Sequence, residues 1–169
     1  MASTPEEHEK RMGSRHEDLL GRLRELASEV AASHGVEFVD LSLHGSSANR
    51  TLRVDIDRAG PEGVNLDDCQ RVSGALGEAL DAGDLIEARY VLQVSSPGLD
   101  RPLRTADDLR RGTGRRVLVT MRVPSRGKTS FRGVLLGSSE DSLRLADDEL
   151  GEVALALGKV ESVRQDAGF

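Results

Sequence analysis

The residues with the most chemical potential lie in one run near the middle of the chain, Val94 to Leu103, reading VSSPGLDRPL. Ser95 and Ser96 offer hydroxyls, and Asp100 with Arg101 offers a carboxylate beside a guanidinium fork. The serines have neither a G-x-S-x-G elbow nor a nearby histidine, so they read as hydrogen-bonding groups at a strand end and not as nucleophiles. Asp100 and Arg101 can lock two folding units together or meet a partner bidentately. Downstream, Gly127-Lys128-Thr129-Ser130 imitates the end of a P-loop. Arg122 stands where that motif needs its first glycine, and a strand-like run follows where it needs a helix. His8, His16, His34 and His44 have no compact metal-ligand spacing. Cys69 has no cysteine partner and falls on an apolar helix face. Asp55 and Asp57 alternate with apolar neighbours as on an ordinary solvent-facing strand. These patterns predict no catalytic centre, no metal and no cofactor.

Charge is distributed unevenly. The chain of 169 residues carries a formal net charge of -6. Residues 98–132, however, hold ten Lys and Arg against three Asp and Glu, between an acidic stretch before them and another after. This island, which includes Arg101, Arg104, Arg110, Arg111, Arg115, Arg116, Arg122, Arg126, Lys128 and Arg132, has the signature of a phosphate-facing surface. The candidate RNA contacts are Arg104, Arg115, Arg116, Arg126, Lys128 and Arg132. Aromatics make up only 2% of the residues, namely Phe38, Tyr90, Phe131 and Phe169, which leaves little platform for stacking splayed bases. Binding would therefore read phosphates and shape, with steep salt dependence.

The elements that position these residues follow from periodicity. Residues 1–13 are polar and aperiodic and read as a disordered tail. Ser14 with Glu17 forms a capping box for a helix whose Leu19, Leu23, Leu26 and Val30 share a face, and Gly35 follows its end. Segments 36–44 and 51–57 alternate as a hairpin around the loop GSSANR. Asn65 caps a second helix carrying Leu66, Cys69, Val72, Leu76 and Leu80. Tyr90 to Val94 then forms a strand, which Pro97-Gly98 ends in a turn. The order αββαβ predicts a two-layer α/β unit over residues 14–97. Residues 98–169 change character, with a short helix at 105–111 and then strands at 115–122, 130–137, 142–146 and 152–157, closed by 159–164. That pattern reads as a small barrel. The fold class expected is α+β. The single cysteine and the absence of an apolar leader or a spanning segment predict a cytoplasmic protein that touches no membrane.

The run SSPGLDRPL after a short strand closely resembles the signature of the ribosome maturation factor RimP family. The resemblance continues through Asp68-Cys69-Gln70-Arg71-Val72-Ser73 and Ala79-Leu80-Asp81 upstream and Phe131-Arg132-Gly133 downstream. Gln93 departs from it, standing where an acidic residue is expected. The resemblance implies an SH3-like (Sm-like) barrel as the second domain and a non-catalytic role in maturation of the small ribosomal subunit. It implies a monomer that binds immature subunits through ribosomal RNA and a basic ribosomal protein, the one at the decoding centre. The connector Ser95, Ser96, Pro97, Gly98, Leu99, Asp100, Arg101 and Pro102 would be its partner-binding signature. From the residues alone, a peptide-binding or dimerising module unrelated to the ribosome remains the alternative.

Overall fold

A computed structural model describes Ala2 and residues 4–46, 48–98 and 101–166. The chain forms two compact units, one made of residues 1–57 and 64–96, the other of 58–63 and 97–169.

The first unit contains α1 (Pro5–Ser33), β1 (Glu37–Ser46), β2 (Asn49–Asp57), α2 (Leu66–Gly83) and β3 (Tyr90–Ser95), the αββαβ order that periodicity predicts. β1 pairs antiparallel with β2, and β3 lies parallel to β2 on its other side. Leu52, Val54 and Ile56 of β2 are fully buried against Leu23, Ala27 and Ala31 of α1 and Val72, Leu76 and Leu80 of α2. Two layers suffice because each helix presents one apolar stripe and the central strand one apolar face.

Residues 5–13 are helical, which corrects the reading of a disordered tail. α1 starts at the capping box of Thr4 and Glu7, with Pro5 at its first position. Apolar periodicity could not reveal this turn, because every residue from Pro5 to Asp18 is exposed. The overhang is about 21 Å of helix beyond the core. α2 begins at Asn65, whose side chain accepts from the Asp68 amide while the Asp68 carboxylate accepts from the Asn65 amide.

The second unit contains α3 (Ala106–Gly112), β4 (Arg116–Ser125), β5 (Lys128–Ser138), β6 (Ser142–Asp147), β7 (Gly151–Ala156), a 3-10 turn at Leu157–Lys159 and β8 (Val160–Gln165). All strand pairs are antiparallel, in the order β7-β6-β5-β4-β8. The expected last strand exists but does not close the sheet. β8 pairs with β4, so β7 and β8 are the two ends of an open five-stranded sheet. Phe131, Leu135, Leu143 and Leu145 are fully buried at its centre. Gly133 is required there, because a Cβ at this position would overlap the carbonyl oxygen of Ala146 on β6.

Candidate functional site: the connector and the cationic face

Ser95 closes β3, and its hydroxyl donates to Asp55 Oδ1 (3.1 Å), which also accepts from Arg53 Nε (3.1 Å). The first serine of the signature thus ties the end of β3 to the neighbouring strand. Leu99 and Asp100 lie outside the described residues. The Arg101 amide donates to the Gly98 carbonyl (3.0 Å), and the turn expected at Pro97-Gly98 runs into residues outside those described. Beyond it, Pro102 bridges to Arg164 and the Leu103 amide donates to the Val163 carbonyl (2.8 Å). The second half of the connector is therefore pinned along the outer edge of β8.

Asp108 completes this anchorage. One of its oxygens accepts from the amides of Arg104 and Thr105 (3.0 and 3.1 Å), and the other from Arg111 Nη2 (2.7 Å). Burial by itself would raise this carboxyl. The two amide hydrogen bonds, with the charges of Arg111 and Arg101, hold it instead below the usual aspartate range. Asp108 and Arg111 are both buried. No apolar period or charge count points to this hub, but Thr105 with Asp108 three residues later is a legible capping box.

The basic island does not survive folding as an island. Pairing of β5 with β6 and β6 with β7 brings the acidic turn Asp147-Asp148-Glu149 beside β4 and β5. Arg116 forks onto Asp148 (3.1 and 2.6 Å), Lys128 reaches Glu149 (3.0 Å) and Arg132 reaches Asp166 (3.2 Å). The pairing with Arg116 lowers the Asp148 carboxyl and raises the Arg116 guanidinium, while Glu149 does the same for Lys128. Arg110 meets Asp107. Arg115 is a strut, its guanidinium donating to the carbonyls of Arg58 and Gly60 at 2.7 Å each.

Three cations are left over. Arg104, Arg122 and Arg126 are exposed, and among the described residues no hydrogen bond or ion pair holds their guanidinium groups. Arg122 and Arg126 belong to the β4–β5 hairpin. There the register jumps from Thr120↔Ser130 to Ser125↔Lys128, so that Arg122-Val123-Pro124 bulges out, all exposed. At the hairpin tip both Arg126 (φ 52°) and Gly127 (φ 74°) are left-handed, the geometry of a type I′ turn. The P-loop mimic is thereby accounted for, with Gly127 turning the hairpin and Lys128, Thr129 and Ser130 in β5. Phe131 is fully buried, and Phe38 and Tyr90 are half-buried, so none of these rings forms an open stacking platform; Phe169 lies outside the described residues.

Among the described residues, no group of three or more His, Cys, Asp or Glu is arranged to hold a metal ion. Cys69 is buried, and burial with the neighbouring Asp68 charge pushes its thiol up, away from nucleophilic reactivity. No helix among the described residues is long and apolar enough to cross a membrane.

Residues 26–100 match the family model of the RimP N-terminal domain, a span that runs from the last two turns of α1 through β3 to the connector. The match takes in β1, β2, α2 and β3 of the first unit and ends inside the SSPGLDRP run, so over these residues the chain is similar to RimP N-terminal domains.

Proposed function

We propose that this protein is a non-catalytic maturation factor of the small ribosomal subunit, acting in the cytoplasm on immature subunits as a monomer. The observation that carries this reading is the RimP N-terminal domain over residues 26–100. In this reading the two units are separate domains divided at the connector, and the open sheet of the second is a relative of the SH3-like barrels. Phosphates of ribosomal RNA meet the unpaired arginines Arg104, Arg122 and Arg126 first, since Arg116, Lys128 and Arg132 must exchange a carboxylate for a phosphate. The acidic first unit receives a basic ribosomal protein, opposite potentials setting orientation and encounter rate. Ser95, Ser96, Pro97, Gly98, Leu99, Asp100, Arg101 and Pro102 serve as a partner-binding signature between the two domains.

The test is cosedimentation with mature and immature small subunits across a salt series. Arg122→Glu with Arg126→Glu is the informative variant, because Arg115 and Arg116 are already committed to carbonyls and carboxylates. Salt-sensitive preference for immature subunits, lost in the variant, supports the reading. No association of the wild type at low salt overturns it and favours an interaction module unrelated to the ribosome.

A further inference from the structure

We propose that the free edge of β3, with the groove beside it under α2, takes up an extended basic polypeptide segment as a fourth strand of the first sheet. The strand order β1-β2-β3 leaves the outer edge of β3 without a partner among the described residues. Exposed edges are templates for strand addition, and proteins ordinarily blunt them with proline, lysine, a bulge or a covering segment. β3, reading Tyr-Val-Leu-Gln-Val-Ser, has none of the first three. Its pairing with β2 runs unbroken from Tyr90 to Ser95. The opposite edge strand, β1, is bulged between Phe38 and Asp40. In the second sheet, Pro102 and Leu103 cover β8.

The space beside β3 is shaped for one more strand. Ser73, Gly77 and Asp81 recur every fourth residue along one face of α2 and line a groove of about 770 Å³ together with Leu92. A Cβ at Gly77 would meet only Leu92 Cδ2, at 3.9 Å, so small residues leave a floor on which an incoming side chain can lie. On the other sheet face, Val91 is 55% exposed and offers an apolar cross-strand neighbour.

Charge selects the occupant. Asp81, Asp84 and Glu87 line this groove against one cation, Arg89. The last turn of α2 carries no basic residue, so its carbonyl end adds negative potential where three carboxylates already stand. A cationic strand relieves that repulsion while filling the backbone hydrogen bonds of the edge. The inference deepens the proposed contact with a basic ribosomal protein and rests on that reading for the partner's class, though not for the strand addition itself.

The experiment titrates the isotopically labelled full chain with an eight-residue peptide alternating arginine and valine, followed by amide NMR. Shifts concentrated on residues 90–95 and 73–81 are expected. A peptide of the same charge, N-methylated at alternate residues so that it cannot pair, should bind about tenfold more weakly. The variant Asp81→Asn, Asp84→Asn, Glu87→Gln should weaken the unmethylated peptide by a similar factor; asparagine tolerates the left-handed backbone of residue 84 (φ 48°). Equal binding of both peptides, shifts centred on β1, or dimerisation of the protein through β3 would overturn the proposal. The titration contains no ribosomal subunit, so its failure leaves the maturation reading standing, and failed cosedimentation leaves the titration standing.

Discussion

Arg126 is in a conformation that its side chain disfavours, and replacing it separates stability from binding. With φ 52° it occupies the first central position of a two-residue turn between Ser125 and Lys128, followed by Gly127 at φ 74°. The left-handed region costs an ordinary L-residue roughly 1–2 kcal/mol, and asparagine followed by glycine is the preferred pair for a type I′ hairpin. Arg126→Asn should therefore stabilise the second unit by about 1 kcal/mol, or roughly 4–8 °C in a transition confined to a unit of this size. The same change removes one unpaired guanidinium, which should reduce the slope of log K against log salt for RNA binding by about 0.7–0.9. Urea unfolding followed by circular dichroism reads the first effect and a filter-binding salt series the second. Arg126→Lys keeps both strain and charge and should stay near wild type in each. Loss of stability in Arg126→Asn would refute the turn argument, and an unchanged salt slope would refute the phosphate contact.

Other consequences can be checked as directly. Tyr90 is the only tyrosine and there is no tryptophan, so phenolate absorbance at 295 nm reports it alone. Burial and the 2.8 Å hydrogen bond to Asp81 push its ionisation up to about 12, and Asp81→Asn should bring the midpoint down. Because the folded value is raised, the associated stability is full below about pH 10, where unfolded tyrosine ionises, and is lost as pH climbs through the folded value. Asp108→Ala should cost about 3–5 kcal/mol by removing the buried carboxylate that pairs with buried Arg111, seen as a lower urea midpoint. Asp108 is held below the ordinary aspartate value, so its contribution stands above about pH 4 and disappears as pH falls through the lowered folded value; Asp108→Asn should flatten that acid limb. Gly133→Ala should leave the second unit unable to pair β5 with β6, giving loss of dispersed amide resonances there while those of the first unit persist.

Most of the first unit was legible because its signals are local. Leu52, Val54 and Ile56 alternate, Asn65 caps, and Val72, Leu76 and Leu80 recur at helical spacing, so each segment declares its own geometry. The first turns of α1 were not legible because a helix held by capping and exposed polar residues has no apolar period to read. The strands of the second unit were legible one by one, but not whether they close into a barrel. Which strand takes β8 as its neighbour depends on contacts far apart in sequence. Among the site residues, a hydrogen-bonding role for Ser95 at the strand end was legible, but its partner, the Asp55 carboxylate forty residues away on β2, was not. Nor was the role of Arg115, since its partners are carbonyls of the 58–63 segment more than fifty residues away, whereas Asp108 takes its hydrogen-bond partners from within four residues and could have been read from its capping box.

Charge is where linear reading departs furthest from the fold, and the difference is measurable. Six candidate phosphate contacts read from the basic island suggest a salt slope near −4 to −5 at about 0.7–0.9 per contact. Antiparallel pairing instead lays the acidic turn Asp147-Asp148-Glu149 against the basic strands. Exposed ion pairs of this kind add little stability, so their main effect is on availability. A phosphate must first displace Asp148 from a two-point fork on Arg116, whereas among the described residues no carboxylate or carbonyl holds Arg104, Arg122 or Arg126. Three such contacts predict a slope of only about −2 to −3. A measured slope near the larger figure would mean that RNA breaks the carboxylate pairs on binding. Asp148→Asn should then change affinity little, while under the smaller figure it should release Arg116 and steepen the slope by nearly one.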